Sequence, residues 1–182
     1  VKRKYTSSAV YTALRRALVS KLLKPFCTST TISSASAQTA IAKLDGGTVD
    51  VQGQDGKVVV LAVGASWLPL SAKQAEYVNA LAKRYAGRNV AFYYVVTDST
   101  NAKSKNFASD DAVRKFAAAN KLAIPVLRDS DGAVVLKNFK IDQVPSFIVL
   151  DKTGSQAGEA FGGIDPKFDV TAPISKRIDS VL

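Results

Sequence analysis

The sequence has 182 residues, a formal net charge of +10 and 47% hydrophobic side chains. This length and composition predict one packed domain with an extension, and they exclude a disordered chain. No apolar run is long enough to cross a bilayer, so we expect no transmembrane helix. The sequence has no histidine, no methionine and a single cysteine, Cys27. These counts exclude a Ser-His-Asp triad, a structural zinc site and an internal disulfide.

The positive charge lies at the N-terminal end of the sequence. The first 44 residues carry eight basic and no acidic side chains, whereas the other 138 carry 17 basic and 15 acidic ones. Such an arm predicts an anionic partner: a phosphate backbone, anionic lipid headgroups or an acidic protein face. The alternative is a solvated cationic tail. No aromatic-interleaved basic motif accompanies the charges, so we expect no sequence-specific nucleic-acid recognition.

Residues 1–26 are predicted to form a basic amphipathic helix, because apolar side chains recur on one side at helical spacing. We expect Pro25 to end this helix, and residues 27–39 have the Ser/Thr/Ala-rich composition of a linker. We therefore assign residues 1–39 to an N-terminal arm and residues 40–182 to a folded domain. The side chains predicted to contact an anionic partner are those of Arg15, Arg16, Lys21 and Lys24.

The arm also has the composition of an organellar targeting peptide. This favours a mitochondrial location, with a plastid or a bacterial envelope or periplasm as alternatives. A basic helix with a linker buries too little surface to be stable alone, so we expect it to dock on another subunit of a complex. We expect Val1 to follow either an upstream cleavage or the removal of an initiator methionine.

From residue 40 onward, strand and helix patterns alternate. The predicted strands are residues 48–51, 58–63, 90–96, 146–150 and 157–161, and the predicted helices are residues 71–86, 110–120 and 172–182. Residues 133–136 form a weak short segment. Residues 129–132 are predicted to form a turn, because no glutamate follows at the spacing of a calcium loop. This order predicts a mixed sheet flanked by helices, and no metal or cofactor site is predicted.

Three motifs in this order resemble the thioredoxin fold, and more narrowly its redoxin branch, the TlpA/ResA-type thiol–disulfide oxidoreductases with peroxiredoxins as cousins. Residues 55–67, DGKVVVLAVGASW, are similar to the start of the family segment GKVVVLNFWASWCPPC. Residues 124–129, IPVLRD, resemble FPVLLD, and residues 143–154, QVPSFIVLDKTG, resemble a family segment with a cis proline facing the redox loop. The resemblance implies a three-layer α/β/α domain with a mixed central sheet, and a cis peptide bond before Pro145.

The sequence departs from the family at both redox positions. Leu68 and Ser71 stand where the resemblance places the nucleophilic and resolving cysteines. Leucine cannot ionise, and a serine hydroxyl without an adjacent base cannot replace a thiolate. A peroxiredoxin also needs a thiolate cysteine in this loop. The resemblance therefore predicts no catalytic residue and no cofactor.

We interpret Trp67 and Pro69 as packing residues, with remnants of a substrate groove as the alternative. Leu68 and Leu70 are expected to form an exposed apolar pair that contacts a partner subunit, or else to be buried within the domain.

The sequence favours a redox-inactive thioredoxin-like domain that acts as a structural or interaction subunit, anchored by the basic helix. One alternative is a peptide-binding adaptor or chaperone. Its groove would be formed by the loop and by Val144 and Pro145. A second alternative is a family enzyme with atypical chemistry, including thiol chemistry at Cys27.

Overall fold

The structure is a computed structural model that describes residues 39–165 and 167–182. The predicted N-terminal helix, its basic side chains and Cys27 lie outside the described residues. The boundary between residues 39 and 40 therefore stays a prediction. No helix in the described ranges is both long enough and apolar enough to cross a membrane.

The described residues contain one mixed sheet of seven strands, in the spatial order β2-β1-β5-β4-β3-β6-β7. Neighbouring strands β3, β4 and β5 run parallel, and every other neighbouring pair is antiparallel. The strands are β1 Ala40–Lys43, β2 Thr48–Asp50, β3 Val58–Gly64, β4 Val90–Val96, β5 Val126–Arg128, β6 Ser146–Leu150 and β7 Phe161–Gly162.

The helices of the described part are α1 Pro69–Arg84, α2 Asp110–Ala119, α3 Val135–Asn138 and α4 Thr171–Val181, with a 3-10 turn at Ser130–Gly132. One core on the first face of the sheet contains Val78 of α1, Val113 of α2 and Ile178 of α4. The core on the second face contains Val135 of α3 and Phe139. Helices therefore cover both faces, and the predicted three-layer arrangement with a mixed sheet is confirmed.

The central strands form because their side chains are apolar on both faces. All seven residues of β3 and all five of β6 are buried, as expected where helices cover a sheet on both sides. α2 begins where the Ser109 side chain accepts a hydrogen bond from the Ala112 N–H at 3.2 Å, which satisfies one of its free amide groups.

Several elements differ from the prediction, among them the first helix, which spans Pro69–Arg84 where residues 71–86 were predicted. The segment at 133–136 is not a strand: its second half lies in α3, which begins at Val135. The Asp129 carboxylate accepts hydrogen bonds from the amides of Val134 and Val135 at the start of that helix. β1 and β5 are strands that periodicity did not predict, since they have only four and three residues. The final helix begins at Thr171, one residue earlier than predicted.

The predicted strand at 157–161 is largely wrong, because the edge of the sheet changes register there. Phe147 pairs with Phe161, whereas Leu150 pairs with Gln156. Between these two pairs, residues 157–160 of the edge segment lie opposite only two residues of β6, which makes a bulge. Gly158 within this bulge has a φ of +80°. Only Phe161–Gly162 remains as strand β7.

Candidate binding site

The loop between β3 and α1 places residues 68 and 71 at the start of a helix. Leu68 lies at the N-cap of α1 with extended backbone, and Pro69 is the first helical residue, where its missing N–H removes no hydrogen bond. The Leu68 amide donates to the Ala65 carbonyl at 3.2 Å, and the Ser71 amide donates to the Leu68 carbonyl at 3.0 Å. The partial positive charge of a helix N-terminus would stabilise a thiolate here, but neither residue carries sulfur.

Ser71 is fully buried and has a structural role. Its hydroxyl accepts a hydrogen bond from the Ala65 amide at 3.3 Å, which links the start of α1 to the end of the preceding strand. The hydroxyl of Tyr94 in β4 donates toward the Ser71 carbonyl at 3.4 Å. Burial raises the pKa of Tyr94 well above its usual value, so the phenol remains a protonated donor and cannot act as a base. The surroundings of Ser71 therefore hold its hydroxyl in place without activating it.

Gln74 fixes α1 against two strands. Its side-chain amide donates to the carbonyls of Val63 at 3.2 Å and Ser146 at 2.7 Å, and its Oε1 accepts from the Tyr94 hydroxyl at 3.0 Å. The helix approaches the strand so closely that a Cβ on Gly64 would lie 2.6 Å from both Gln74 Oε1 and the Tyr94 hydroxyl. This buried network holds the loop in position without any disulfide.

Pro145 lies at the same end of the sheet as the loop. The Val144–Pro145 peptide bond is cis, as the resemblance implied. Ser146, the first residue of β6, pairs with Val63 near the end of β3. Because β3 leads directly into the loop, the structure brings the loop and the Val144–Pro145 segment together. Pro145 itself is buried and Val144 is half-buried.

A groove of about 220 Å³ opens beside the loop, and we call it the Trp67 groove. The Trp67 side chain is 56% exposed, which contradicts our interpretation of this residue as a packing residue. Val144, from the segment before β6, also lines the groove. The described residues that line it are Ala65, Trp67, Thr97, Asn106, Asp131, Leu136 and Val144.

The other loop residues predicted to contact a partner lie outside this lining. Pro69 is exposed at the start of α1. Leu68 and Leu70 are half-buried, so they are neither the fully exposed pair nor the fully buried pair that the sequence left as alternatives.

The far side of the Trp67 groove consists of residues that sequence reasoning did not select. Thr97 follows β4, and Asp131 lies in the turn after β5. Asp98 is fully buried beside the loop, and its two carboxylate oxygens accept from the Ser66 amide at 3.2 and 3.0 Å. The carboxyl ends of parallel strands meet at one edge of a sheet. The polar residues directly after β4 and β5 were therefore a usable signal for this site.

The site offers no set of metal ligands in the described part. Across residues 39–165 and 167–182, no group of three or more histidine, cysteine or acidic side chains is arranged to hold a metal ion. The predicted turn at 129–132 is confirmed as the 3-10 turn Ser130–Gly132. There Asp129 caps the next helix and Asp131 accepts hydrogen bonds from two serine hydroxyls.

The sheet order, the loop before α1 and the cis proline opposite it define a thioredoxin-like protein. A model of the Redoxin family matches residues 29–157, and the chain belongs to this family. The thiol-disulfide oxidoreductase ResA of Bacillus thuringiensis subsp. konkukian is 25% identical over 122 residues, which are 67% of this chain and 65% of ResA. The matched region is thus less than two thirds of that relative's length.

Solved structures support the same fold. DsbF of Mycobacterium tuberculosis is similar with a TM-score of 0.63 and 22% identity, over 81% of this chain and 97% of DsbF. A secreted disulfide oxidoreductase of the same organism, homologous to DsbE of Escherichia coli, is similar with a TM-score of 0.60 and 20% identity. That match covers 81% of this chain and 99% of the other.

Proposed function

We propose that this chain is a redox-inactive thioredoxin-like domain that acts as an interaction subunit of a protein assembly. The observation that carries the proposal is the loop itself. Leu68 and Ser71 occupy both thiol positions, while the neighbouring Trp67 is 56% exposed. Dithiol exchange needs two sulfurs, and this sequence has one cysteine, Cys27. A large exposed aromatic side chain is typical of an anchor in a protein–protein interface.

The proposed contact surface is the loop end of the sheet. Trp67 and Pro69 are exposed, and Leu68, Leu70 and Val144 are half-buried, so a partner would cover a mostly apolar patch. Buried Pro145 would act by positioning Val144 rather than by contact. The Gln74 network holds this surface rigid, which lowers the entropy cost of binding.

A turnover assay tests the redox-inactive part of the proposal. The purified full chain is incubated with insulin and dithiothreitol, and separately with hydrogen peroxide and a thiol reductant. We expect rates equal to those without protein. Reduction of either substrate at a rate that survives Cys27→Ser would contradict the proposal.

Site-specific crosslinking tests the interaction part. A photo-crosslinking amino acid replaces Trp67 in the full chain expressed in its source cells, and a matched variant carries it at exposed Glu159. We expect the crosslinker at position 67 to capture one protein in a fixed ratio to this chain. The crosslinker at position 159 should not capture that protein. Equal capture from both positions would show that the Trp67 surface has no defined partner.

A second candidate function is that of an adaptor that binds extended peptides, which is the first alternative drawn from the sequence. The open Trp67 groove favours it, since Trp67 and Val144 both line this groove. The same crosslinking experiment separates the two roles. Capture of many different segments from position 67 would indicate an adaptor, whereas one fixed neighbour would indicate a subunit.

We also propose that the N-terminal arm binds an anionic surface through Arg15, Arg16, Lys21 and Lys24. The support is the eight basic and no acidic side chains in the first 44 residues. More of the full chain should cosediment with phosphatidylglycerol vesicles than with phosphatidylcholine vesicles. The amount bound to phosphatidylglycerol should fall when all four residues are replaced by alanine. Equal binding to both vesicle types would contradict a lipid partner. The secreted relative is compatible with an envelope location, and the comparisons give the mitochondrial prediction no support.

A further inference from the structure

The far wall of the Trp67 groove presents one carboxylate oxygen that accepts no hydrogen bond from the part of the chain that the structure describes. Asp131 is exposed and lines the groove. Its Oδ2 accepts hydrogen bonds from the Ser99 hydroxyl at 3.1 Å and the Ser130 hydroxyl at 2.9 Å. Among the residues that the structure describes, none donates a hydrogen bond to Oδ1 and no basic side chain forms an ion pair with Asp131. The two hydroxyls fix the carboxylate and leave Oδ1 available.

The remaining walls of the groove are apolar or neutral. Trp67 and Leu136 are 56% and 38% exposed, and Val144 is half-buried between the strand and the loop. Among the described residues that line the groove, Asp131 alone carries a charge. The buried carboxylate of Asp98 lies directly behind the loop, bonded to the Ser66 amide. The groove thus combines apolar walls with one exposed carboxylate, and this combination suits a side chain with an apolar stem and a positive end.

The size of the groove limits its occupant. Its volume of about 220 Å³ is below the range of roughly 300–1,000 Å³ that holds a drug-sized molecule. It is suited to a single long side chain, with the rest of the partner outside. A side chain with an apolar stem and a positive end matches both the walls and the charge.

We infer that the Trp67 groove accepts a lysine side chain from an extended segment of the partner protein. This inference rests on the binding role proposed above and specifies what is bound. The lysine stem lies along Trp67 and Leu136, and the ammonium group donates to Asp131 Oδ1. Lysine is favoured over arginine because guanidinium gains most from two carboxylate oxygens, and Oδ2 of Asp131 already accepts two hydrogen bonds.

The intrinsic fluorescence of Trp67 tests the inference directly, since the sequence has one tryptophan. The full chain is titrated with an array of nine-residue peptides built from alanine, valine and serine. Their central residue is lysine, arginine, norleucine or glutamate. Norleucine keeps the apolar stem without the charge. We expect the lysine peptides to bind about fivefold more tightly than the norleucine peptides, with arginine between them.

Two variants make the test specific. Asp131→Asn keeps the side-chain shape and tolerates the left-handed backbone at this position, where φ is 57°. It should remove the preference for lysine while the norleucine peptides bind as before. Glu159→Gln, which removes a carboxylate that lines a different groove, should keep the preference. Urea unfolding midpoints confirm that both variants are folded.

The outcomes separate this inference from the binding role on which it rests. Equal affinity for lysine and norleucine peptides, or a lysine preference that survives Asp131→Asn, overturns the lysine site. In that case peptide binding at Trp67 remains established. If no peptide changes the Trp67 emission, the lysine site is also overturned, and the interaction role is then decided by the crosslinking at position 67.

Discussion

At the scale of single residues, the two substitutions in the redox loop differ in kind. Serine replaces a thiol with a hydroxyl of similar shape, and Ser71 is buried with its hydroxyl bonded to the Ala65 amide. Leucine at position 68 is larger and apolar, and its side chain is half-buried beside exposed Trp67. The first change preserves packing, whereas the second changes what the loop presents to a partner.

The double substitution Leu68→Cys and Ser71→Cys should restore dithiol chemistry. The helix N-terminus would lower the pKa of the thiol at position 68, and the loop geometry is already in place. In a Cys27→Ser background, we expect insulin reduction at least about tenfold above that of either single substitution. Thiol labelling confirms that both cysteines are reduced at the start. Two accessible thiols that form no disulfide with each other would show that the loop has lost the redox geometry.

At the scale of elements, α1 is positioned by one buried polar side chain. Gln74 bonds to the carbonyls of Val63 and Ser146, so it joins the helix to the central strand β3 and to β6 beyond it. A buried amide that satisfies several partners specifies one arrangement, because any displacement leaves polar groups without hydrogen bonds. The loop at the start of α1 depends on this arrangement.

Replacement of Gln74 by leucine should lower the free energy of unfolding by about 2–3 kcal/mol, because two buried carbonyls and the Tyr94 hydroxyl each lose one hydrogen bond. Urea denaturation followed by circular dichroism measures the change. Glu76→Leu in the same helix removes only an exposed ion pair with Lys73 and should change stability by less than about 0.5 kcal/mol. Equal effects of the two substitutions would contradict the role of the network.

The turn after β6 predicts an acid-dependent contribution to stability. The Asp151 carboxylate accepts from the Thr153 hydroxyl and from the Thr153 and Ser155 amides, and these bonds lower its pKa below the ordinary 3.8. Its contribution is fully present above the pKa of the unfolded chain and is lost as pH falls through the folded value. In urea titrations between pH 5 and about pH 2, Asp151→Asn should reduce the acid-dependent loss of stability. An acid-dependent loss of the same size in the variant and in the unchanged protein would contradict this role of the Asp151 carboxylate.

Long apolar patterns predicted the central elements, and short segments account for the errors. β3, β4 and β6 carry runs of buried residues that periodicity detects, whereas β1 has one buried residue in four. The loop and Pro145 were predictable because local motifs carry them. The far wall of the groove required two pieces of information together: the polar residues after β4 and β5, and the order of the strands, which brings Thr97, Asn106 and Asp131 to Trp67.

At the scale of the whole molecule, the sheet separates two hydrophobic cores. Ile174 and Ile178 of α4 are fully buried on the face that also carries α1 and α2. Val135 and Phe139 are buried on the opposite face with Ile41 and Leu61. Because both cores use side chains of the same strands, neither can form without the sheet, so we expect the domain to unfold as one cooperative unit.

Ile178→Ala and Val135→Ala test this cooperativity. Cavity formation should cost about 3 kcal/mol for the isoleucine and less for the smaller valine. The side chains lie in separate cores on opposite faces of the sheet, so the losses should add in the double variant within about 0.5 kcal/mol. Far-ultraviolet circular dichroism and Trp67 fluorescence should follow one transition. Two separate transitions would show that the faces unfold independently.

The irregular outer edge of the sheet has a consequence for how the protein behaves in crowded solution. In the bulge beside β6, four residues of the edge segment lie opposite two residues of β6. Only Phe161–Gly162 remains there as a regular edge strand. The other edge, β2, is three residues long. Within residues 39–165 and 167–182, neither edge offers the long, flat row of free amide and carbonyl groups that allows sheets of neighbouring molecules to join. We therefore expect the domain to resist edge-to-edge aggregation through its sheet, even at high concentration and with a tryptophan exposed.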